Sequence, residues 1–159
     1  MAEAIAVGKK APAVSLPNQD GKRFSLEDFK GHWVVLYFYP KDDTPGCTAE
    51  ACEFTSSLKD FERLHAVVLG VSPDTPESHR KFIEKNKLKF QLLSDESHKV
   101  LSKYGAWGTK KMYGKSFQGA IRSTVLIDPQ GRVVHPWPKV SPKGHAKEVK
   151  KRLAELQKS

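Results

Sequence analysis

Residues 33–39 read Trp-Val-Val-Leu-Tyr-Phe-Tyr, a run with no charged or small polar residue in it. A short apolar run rich in β-branched and aromatic residues is the pattern of a strand buried on both faces. Such strands belong to sheets with helices packed on both sides. Immediately afterwards Pro40, Pro45 and Gly46 break the chain, which predicts a loop. From Cys47 a helical pattern begins. Cys47, Ala51, Phe54, Leu58 and Phe61 recur at spacings of four and three, so they share one face of a helix predicted over 47–64.

The rest of the chain repeats this alternation. Residues 66–72 form a second apolar run, and Thr75-Pro76 offers a cap and a first helical position for a helix beyond it. On that helix His79 shares a face with Phe82, Ile83 and Asn86, which reads as a packed or rim histidine rather than a ligand. Short elements are predicted at 91–93 (strand) and 96–104 (helix, ending at Gly105). Strands at 123–127 and 132–134 flank the turn 128–131, and a last helix runs over 144–157. Near the start, 14–16 and 23–24 flank a turn signal at 18–21 and predict a small N-terminal hairpin; Ser25 with Asp28 resembles a helix-start pair. Residues 105–120 carry no regular period and are expected to be a functional loop. The stretch 135–142 reads as an extended linker. The expected architecture is an α/β layered domain spanning 1–159, with a mixed sheet because its last hairpin is antiparallel.

The chain has two cysteines, Cys47 and Cys52, both at the start of the first long helix. The first turn of a helix presents unpaired N–H groups and a partial positive charge. A thiol there is biased toward thiolate, the nucleophilic form. Glu50 opposes that bias, which calls for a cation from elsewhere in the chain. Thr44 is placed to aim its hydroxyl at the sulfur or at a bound oxygen. Five helical residues rotate by about 140° and rise about 7.5 Å. The two sulfurs then face different sides, beyond the roughly 7 Å Cα separation that a disulfide tolerates. A Cys47–Cys52 disulfide therefore requires the first turns to unwind. The pair fits buried small hydrophobes, a redox pair that switches conformation, or part of a metal site. Zinc usually takes four ligands, and no histidine lies between 33 and 64.

The pattern Pro40-x-x-x-Thr44-x-x-Cys47 resembles the active site of the peroxiredoxins. With Cys52 five residues on, it is similar to the PrxQ branch, also called bacterioferritin comigratory protein. The resemblance extends through Gly8-Lys-Lys-Ala-Pro12, Tyr104-Gly-Ala-Trp-Gly108, Lys111-Met-Tyr-Gly-Lys115 and Arg122-Ser-Thr-Val-Leu-Ile-Asp128, in order. It implies a thioredoxin-like fold: a central mixed β-sheet flanked by helices, with an N-terminal β-hairpin extension. It also implies that Cys47 attacks a peroxide and becomes a sulfenic acid, and that Cys52 resolves it to an intramolecular disulfide. Thioredoxin or a similar dithiol protein would reduce that disulfide. Hydrogen peroxide and alkyl hydroperoxides are the implied substrates, with no metal or organic cofactor. Some family members carry the resolving cysteine on a later helix; Cys52 is the only internal candidate in this chain.

Arg122 opens the 123–127 strand, and an arginine beside a buried strand needs a partner or a role. Asp95 and Asp128 are the candidates for a plain salt bridge. The resemblance gives Arg122 a second role: holding the thiolate, offsetting Glu50 and stabilising charge on peroxide oxygens. Pro40 would shield and shape the pocket.

Net charge is +9, which favours acidic partners and resists self-association. From Lys99 to Arg122 there are six basic residues and no acidic one, interleaved with Tyr104, Trp107, Tyr113 and Phe117. A single-strand nucleic-acid platform has that composition. A solvated loop whose aromatics cover the core has it too, and is the preferred reading, so no nucleic-acid partner is expected. A redox sensor using the same disulfide remains a rival; a thiol–disulfide oxidoreductase would show C-x-x-C. No apolar run reaches a membrane span, residues 1–7 lack the features of a signal peptide, and two cysteines give no secreted disulfide framework. A cytoplasmic monomer is expected.

Overall fold

The structure is a computed structural model that describes residues 5–158. Residues 1–4, on which part of the signal-peptide reading falls, lie outside the described residues.

Five strands build one mixed sheet: β3 (Trp33–Phe38), β4 (Ala66–Ser72), β5 (Gln91–Ser94), β8 (Ser123–Ile127) and β9 (Val133–Trp137). Their order across the sheet is β5-β4-β3-β8-β9. β3 runs parallel to β4 and β4 to β5, while β8 is antiparallel to both β3 and β9. This is the thioredoxin-like arrangement that the resemblance implies, and the 33–39 run supplies its buried central strand, β3. The expected N-terminal hairpin is present as β1 (Ser15–Pro17) and β2 (Arg23–Ser25). A 3-10 turn, Leu26–Phe29, follows it, and the Ser25 N–H donates to Asp28 Oδ2 at 2.9 Å.

The sheet has two apolar faces, and β3 alternates strictly between them. Val34, Leu36 and Phe38 meet the N-terminal segment and α4 (Lys99–Lys103). Val35, Tyr37 and Tyr39 meet α1 (Pro45–Ser56), α2 (Leu58–Arg63), α3 (Pro76–Asn86) and α5 (His145–Gln157). Fully burying one such side chain stabilises the fold by about 1.5–3 kcal/mol, so this double-sided strand fixes both helical layers. The Tyr37 ring stacks on Phe54 of α1 with centroids 4.7 Å apart. Gly70 lies opposite Tyr37 in the β3–β4 register. A Cβ there would stand 2.7 Å from Leu92 Cδ2 and 3.0 Å from the Tyr37 ring. The bare backbone at Gly70 thus lets Tyr37 lie where it carries α1.

Several sequence expectations are corrected. The helix predicted over 47–64 begins two residues earlier and divides at Ser57 into α1 and α2. Pro45 is therefore the first helical residue rather than part of the loop. Its fixed φ suits that position, and its missing N–H would be unpaired there anyway. The short helix is limited to Lys99–Lys103, because His98 takes a left-handed φ of 64° just before it. Residues 105–120 are a regular hairpin, β6 (Trp107–Met112) with β7 (Lys115–Ala120). Its turn is Tyr113-Gly114, both at positive φ, as a tight two-residue hairpin turn demands. Tyr113 is 94% exposed and Phe117 44%, so these two aromatics do not cover the core; Tyr104 does. Residues 135–137, expected in a linker, continue β9. Pro136 is tolerated because β9 is an edge strand.

Among the described residues, no helix is long and apolar enough to cross a membrane.

Candidate active site

Thr44 takes an extended conformation and caps α1, and Pro45 sets the first helical φ. The first bond into the helix is Thr48 N–H to Thr44 C=O at 2.8 Å. The N–H groups of Gly46 and Cys47 therefore precede the helical ladder, at its positive end. Cys47 is 2% exposed and belongs to the same buried apolar cluster as Ala51 and Phe54. Cys52 lies further along α1, half-buried, and both cysteines are free thiols. Helical geometry across five residues keeps the two apart, as the spacing predicts.

The cation that Glu50 calls for is Arg122, and neither Asp95 nor Asp128 pairs with it. Arg122 Nη2 donates to Cys47 Sγ at 3.2 Å, and Nη1 donates to Glu50 Oε1 at 2.7 Å. The loop between β7 and β8 delivers it, braced where Val140 N–H donates to the Arg122 carbonyl at 2.9 Å. Gly46 makes room for it: a Cβ on Gly46 would stand 3.2 Å from Nη2 and 3.3 Å from Pro142 Cγ. Burial works against the guanidinium charge, but Cys47 and then Glu50 outweigh it and hold the Arg122 pKa above its ordinary value.

Glu50 is fully buried. Burial raises its pKa from 4.5 to about 7, Arg122 opposes the rise, and Glu53 adds to it. The second oxygen, Oε2, has no partner, nor has the buried hydroxyl of Tyr37. A carboxylate with one satisfied oxygen in an apolar setting is expensive to ionise, which accounts for the shift.

The Thr44 side chain turns toward its own loop. Its hydroxyl donates to the Lys41 carbonyl at 2.8 Å instead of pointing its proton at the sulfur. With the proton committed, its oxygen lone pairs are left as acceptors. Pro40 is half-buried and lines a cleft of about 460 Å³ together with Lys110, Ile121, Arg122, Lys139 and Val140. All five residues singled out by the sequence thus belong to one short loop and helix start or to the guanidinium that reaches it.

The loop 40–44 is held from behind by Asp42, Asp74 and Ser78, which the sequence reading left out, together with Tyr39 and His79. Asp42 accepts from the Tyr39 hydroxyl at 2.5 Å and from Ser78 Oγ at 2.8 Å, and lies 2.7 Å from His79 Nδ1. The Asp42 N–H donates to Asp74 Oδ2 at 2.8 Å. His79 is packed, as expected, with Nε2 against the Leu93 carbonyl. Burial, then Asp42, keeps the Tyr39 hydroxyl protonated by raising its pKa well above the ordinary value. Asp42, Asp74 and His79 offer ligand atoms within 4.8 Å of one another. These atoms hydrogen-bond one another and their neighbours, and the cluster thereby anchors the loop.

The chain belongs to the AhpC/TSA family, which it matches over residues 7–136, and within it to the peroxiredoxins of the Bcp and PrxQ type. Peroxiredoxin Bcp of Bacillus subtilis is 47% identical over 152 residues, covering 96% of this chain and 97% of that protein. The bacterioferritin comigratory protein of Xanthomonas campestris, studied for its alkyl peroxide reduction activity, superposes with a TM-score of 0.85 at 40% identity. That match covers 90% of this chain and 91% of the other. A C47S mutant of PrxQ from Xylella fastidiosa gives a TM-score of 0.92 at 36% identity, over 98% and 99% of the two chains.

Proposed function

We propose that this protein reduces hydrogen peroxide and alkyl hydroperoxides to water and alcohols, with Cys47 as the nucleophile and Cys52 as the resolving thiol. The observation that carries the assignment is the 3.2 Å contact from Arg122 Nη2 to Cys47 Sγ at the open end of α1.

The Cys47 thiolate attacks the terminal oxygen of the hydroperoxide. The O–O bond breaks, the departing oxygen takes a proton and leaves as water or alcohol, and Cys47 becomes a sulfenic acid. Arg122 stabilises charge on the reacting sulfur and oxygens. The Gly46 and Cys47 N–H groups receive a peroxide oxygen, and Thr44 Oγ1 accepts from the peroxide O–H. Pro40 walls the approach.

The start of α1 then unwinds. This breaks the Arg122–Glu50 contact and loosens the tie from Gly144 N–H to Glu53 Oε1, 2.8 Å long in the reduced form. The Cys52 thiol attacks the Cys47 sulfur, water departs, and an intramolecular disulfide forms before further oxidation. Thioredoxin or a similar dithiol reductant restores both thiols. No step calls for a metal or organic cofactor. A resolving cysteine in the same chain lets the protein work as a monomer, and a reducing cytoplasm suits a catalytic disulfide.

The test is peroxide consumption coupled to thioredoxin, thioredoxin reductase and NADPH. Cys47→Ser should abolish both the first turnover and recycling. Cys52→Ser should keep the first turnover and lose recycling. A Cys47→Ser protein that consumes peroxide at the wild-type rate would refute the assignment.

A further inference from the structure

Lys110 stands out among the residues with no assigned role. It lies on β6, half-buried, and its stem crosses the backbone of Gly119 on the paired strand. A Cβ on Gly119 would stand 3.1 Å from Lys110 Cδ, so the side chain occupies a groove that glycine leaves open. Its Nζ donates to the Ala120 carbonyl at 2.9 Å, two residues before Arg122. Lys110 lines the same cleft as Pro40, Ile121 and Arg122. Lys111 and Lys139 also line it, but they are exposed. No carboxylate pairs with Lys110 among the described residues, and an ammonium with one hydrogen bond used has two donors left.

The charge count of the site gives this lysine a purpose. When Cys47 is a thiolate and Glu50 is ionised, two negative charges share the single positive charge of Arg122. Glu50 reaches that state near neutral pH, since burial places its pKa at about 7. The α1 N-terminus offsets only part of a unit charge.

We propose that Lys110 is the second cation of the peroxide site, a positioning residue that supports the charge of the Cys47 sulfur beside Arg122, whose own charge is shared with Glu50. Arg122 shares the cleft with Lys110, Lys111 and Lys139 line the same cleft, and Cys47 acts on Lys110 only through its charge. Its own titration agrees with that setting: burial and then Arg122 lower its pKa, while Cys47 draws it back up. The inference rests on Cys47 being the peroxide-reactive thiolate.

The test is single-turnover oxidation of reduced protein by hydrogen peroxide at pH 8, with thiolate absorbance at 240 nm recorded on the same samples. Lys110→Met should lower the rate about tenfold and reduce the thiolate signal, while Lys110→Arg should stay within about threefold of wild type. In a Glu50→Gln background the loss from Lys110→Met should shrink to about twofold, because the extra negative charge is gone. Wild-type rate in Lys110→Met, no rescue by arginine, or the same loss in both backgrounds would each overturn the proposal. In those cases the peroxidase reading stands. A wild-type protein that does not react with peroxide would instead remove that reading and this inference with it.

Discussion

Arg122 donates to the sulfur of Cys47 across 75 positions of sequence, 3.2 Å from nitrogen to sulfur, and with its other terminal nitrogen grips Glu50. One side chain thus joins the nucleophile to the buried acid that opposes it. Replacing it by methionine keeps most of the apolar stem and removes both contacts. Arg122→Met is expected to lower the thiolate absorbance at 240 nm and to slow peroxide reduction by about 10²–10³-fold, the loss typical of removing a charge-stabilising donor. Unchanged absorbance in the variant would deny Arg122 its role at the sulfur.

Gly46 separates activity from stability. In the first turn of α1, alanine should favour the helix by up to about 1 kcal/mol over glycine. Its methyl group, however, would press on Arg122 Nη2 and Pro142 from 3.2 and 3.3 Å. Gly46→Ala should therefore reduce the oxidation rate about tenfold, without lowering the melting temperature. Full activity in this variant would show that the guanidinium can move aside at no cost.

Glu50 makes the fold sensitive to pH. Its pKa is about 7 in the folded chain against an ordinary 4.5. Between these values the folded protein holds a proton that the unfolded chain has released, so this group's contribution falls as pH rises from about 4.5 through 7. The full span is about 3 kcal/mol. Urea denaturation of wild type and Glu50→Gln should give stabilities that diverge by about that much between pH 4.5 and pH 8, with the wild type losing ground as pH rises. Parallel curves would mean that Glu50 ionises as freely as in water.

The legible parts of the chain were those where one local rule decides. The run 33–39 could only be a buried strand, and 66–72 and 123–127 carry the same signal. Cys47, Thr44 and Pro40 were readable as one site through the peroxiredoxin pattern they resemble, which packs them within seven residues. The hairpin Trp107–Met112 and Lys115–Ala120 was missed because it is a separate two-stranded sheet with little apolar alternation. Tyr113-Gly114 was its available signal, since such turns favour glycine after a residue that accepts positive φ. The division at Ser57 carried no breaker stronger than serine. The anchoring of the active-site loop by Asp42 and His79 depends on contacts 37 positions apart, which no spacing rule reaches. Glu50 was legible as a like charge near the thiol; its complete burial was not, because that follows from the packing of α1 on β3 and the arrival of Arg122 from the start of the neighbouring strand β8.

The measurement that bears most directly on the account is the intact mass of fully reduced protein after one equivalent of hydrogen peroxide. A fast loss of about 2 Da, the two hydrogens of a new disulfide, is the predicted result, with Cys52→Ser gaining about 16 Da as a sulfenic acid instead. An unchanged mass after minutes would contradict it: Cys47, for all its contact with Arg122, would not be a peroxide nucleophile.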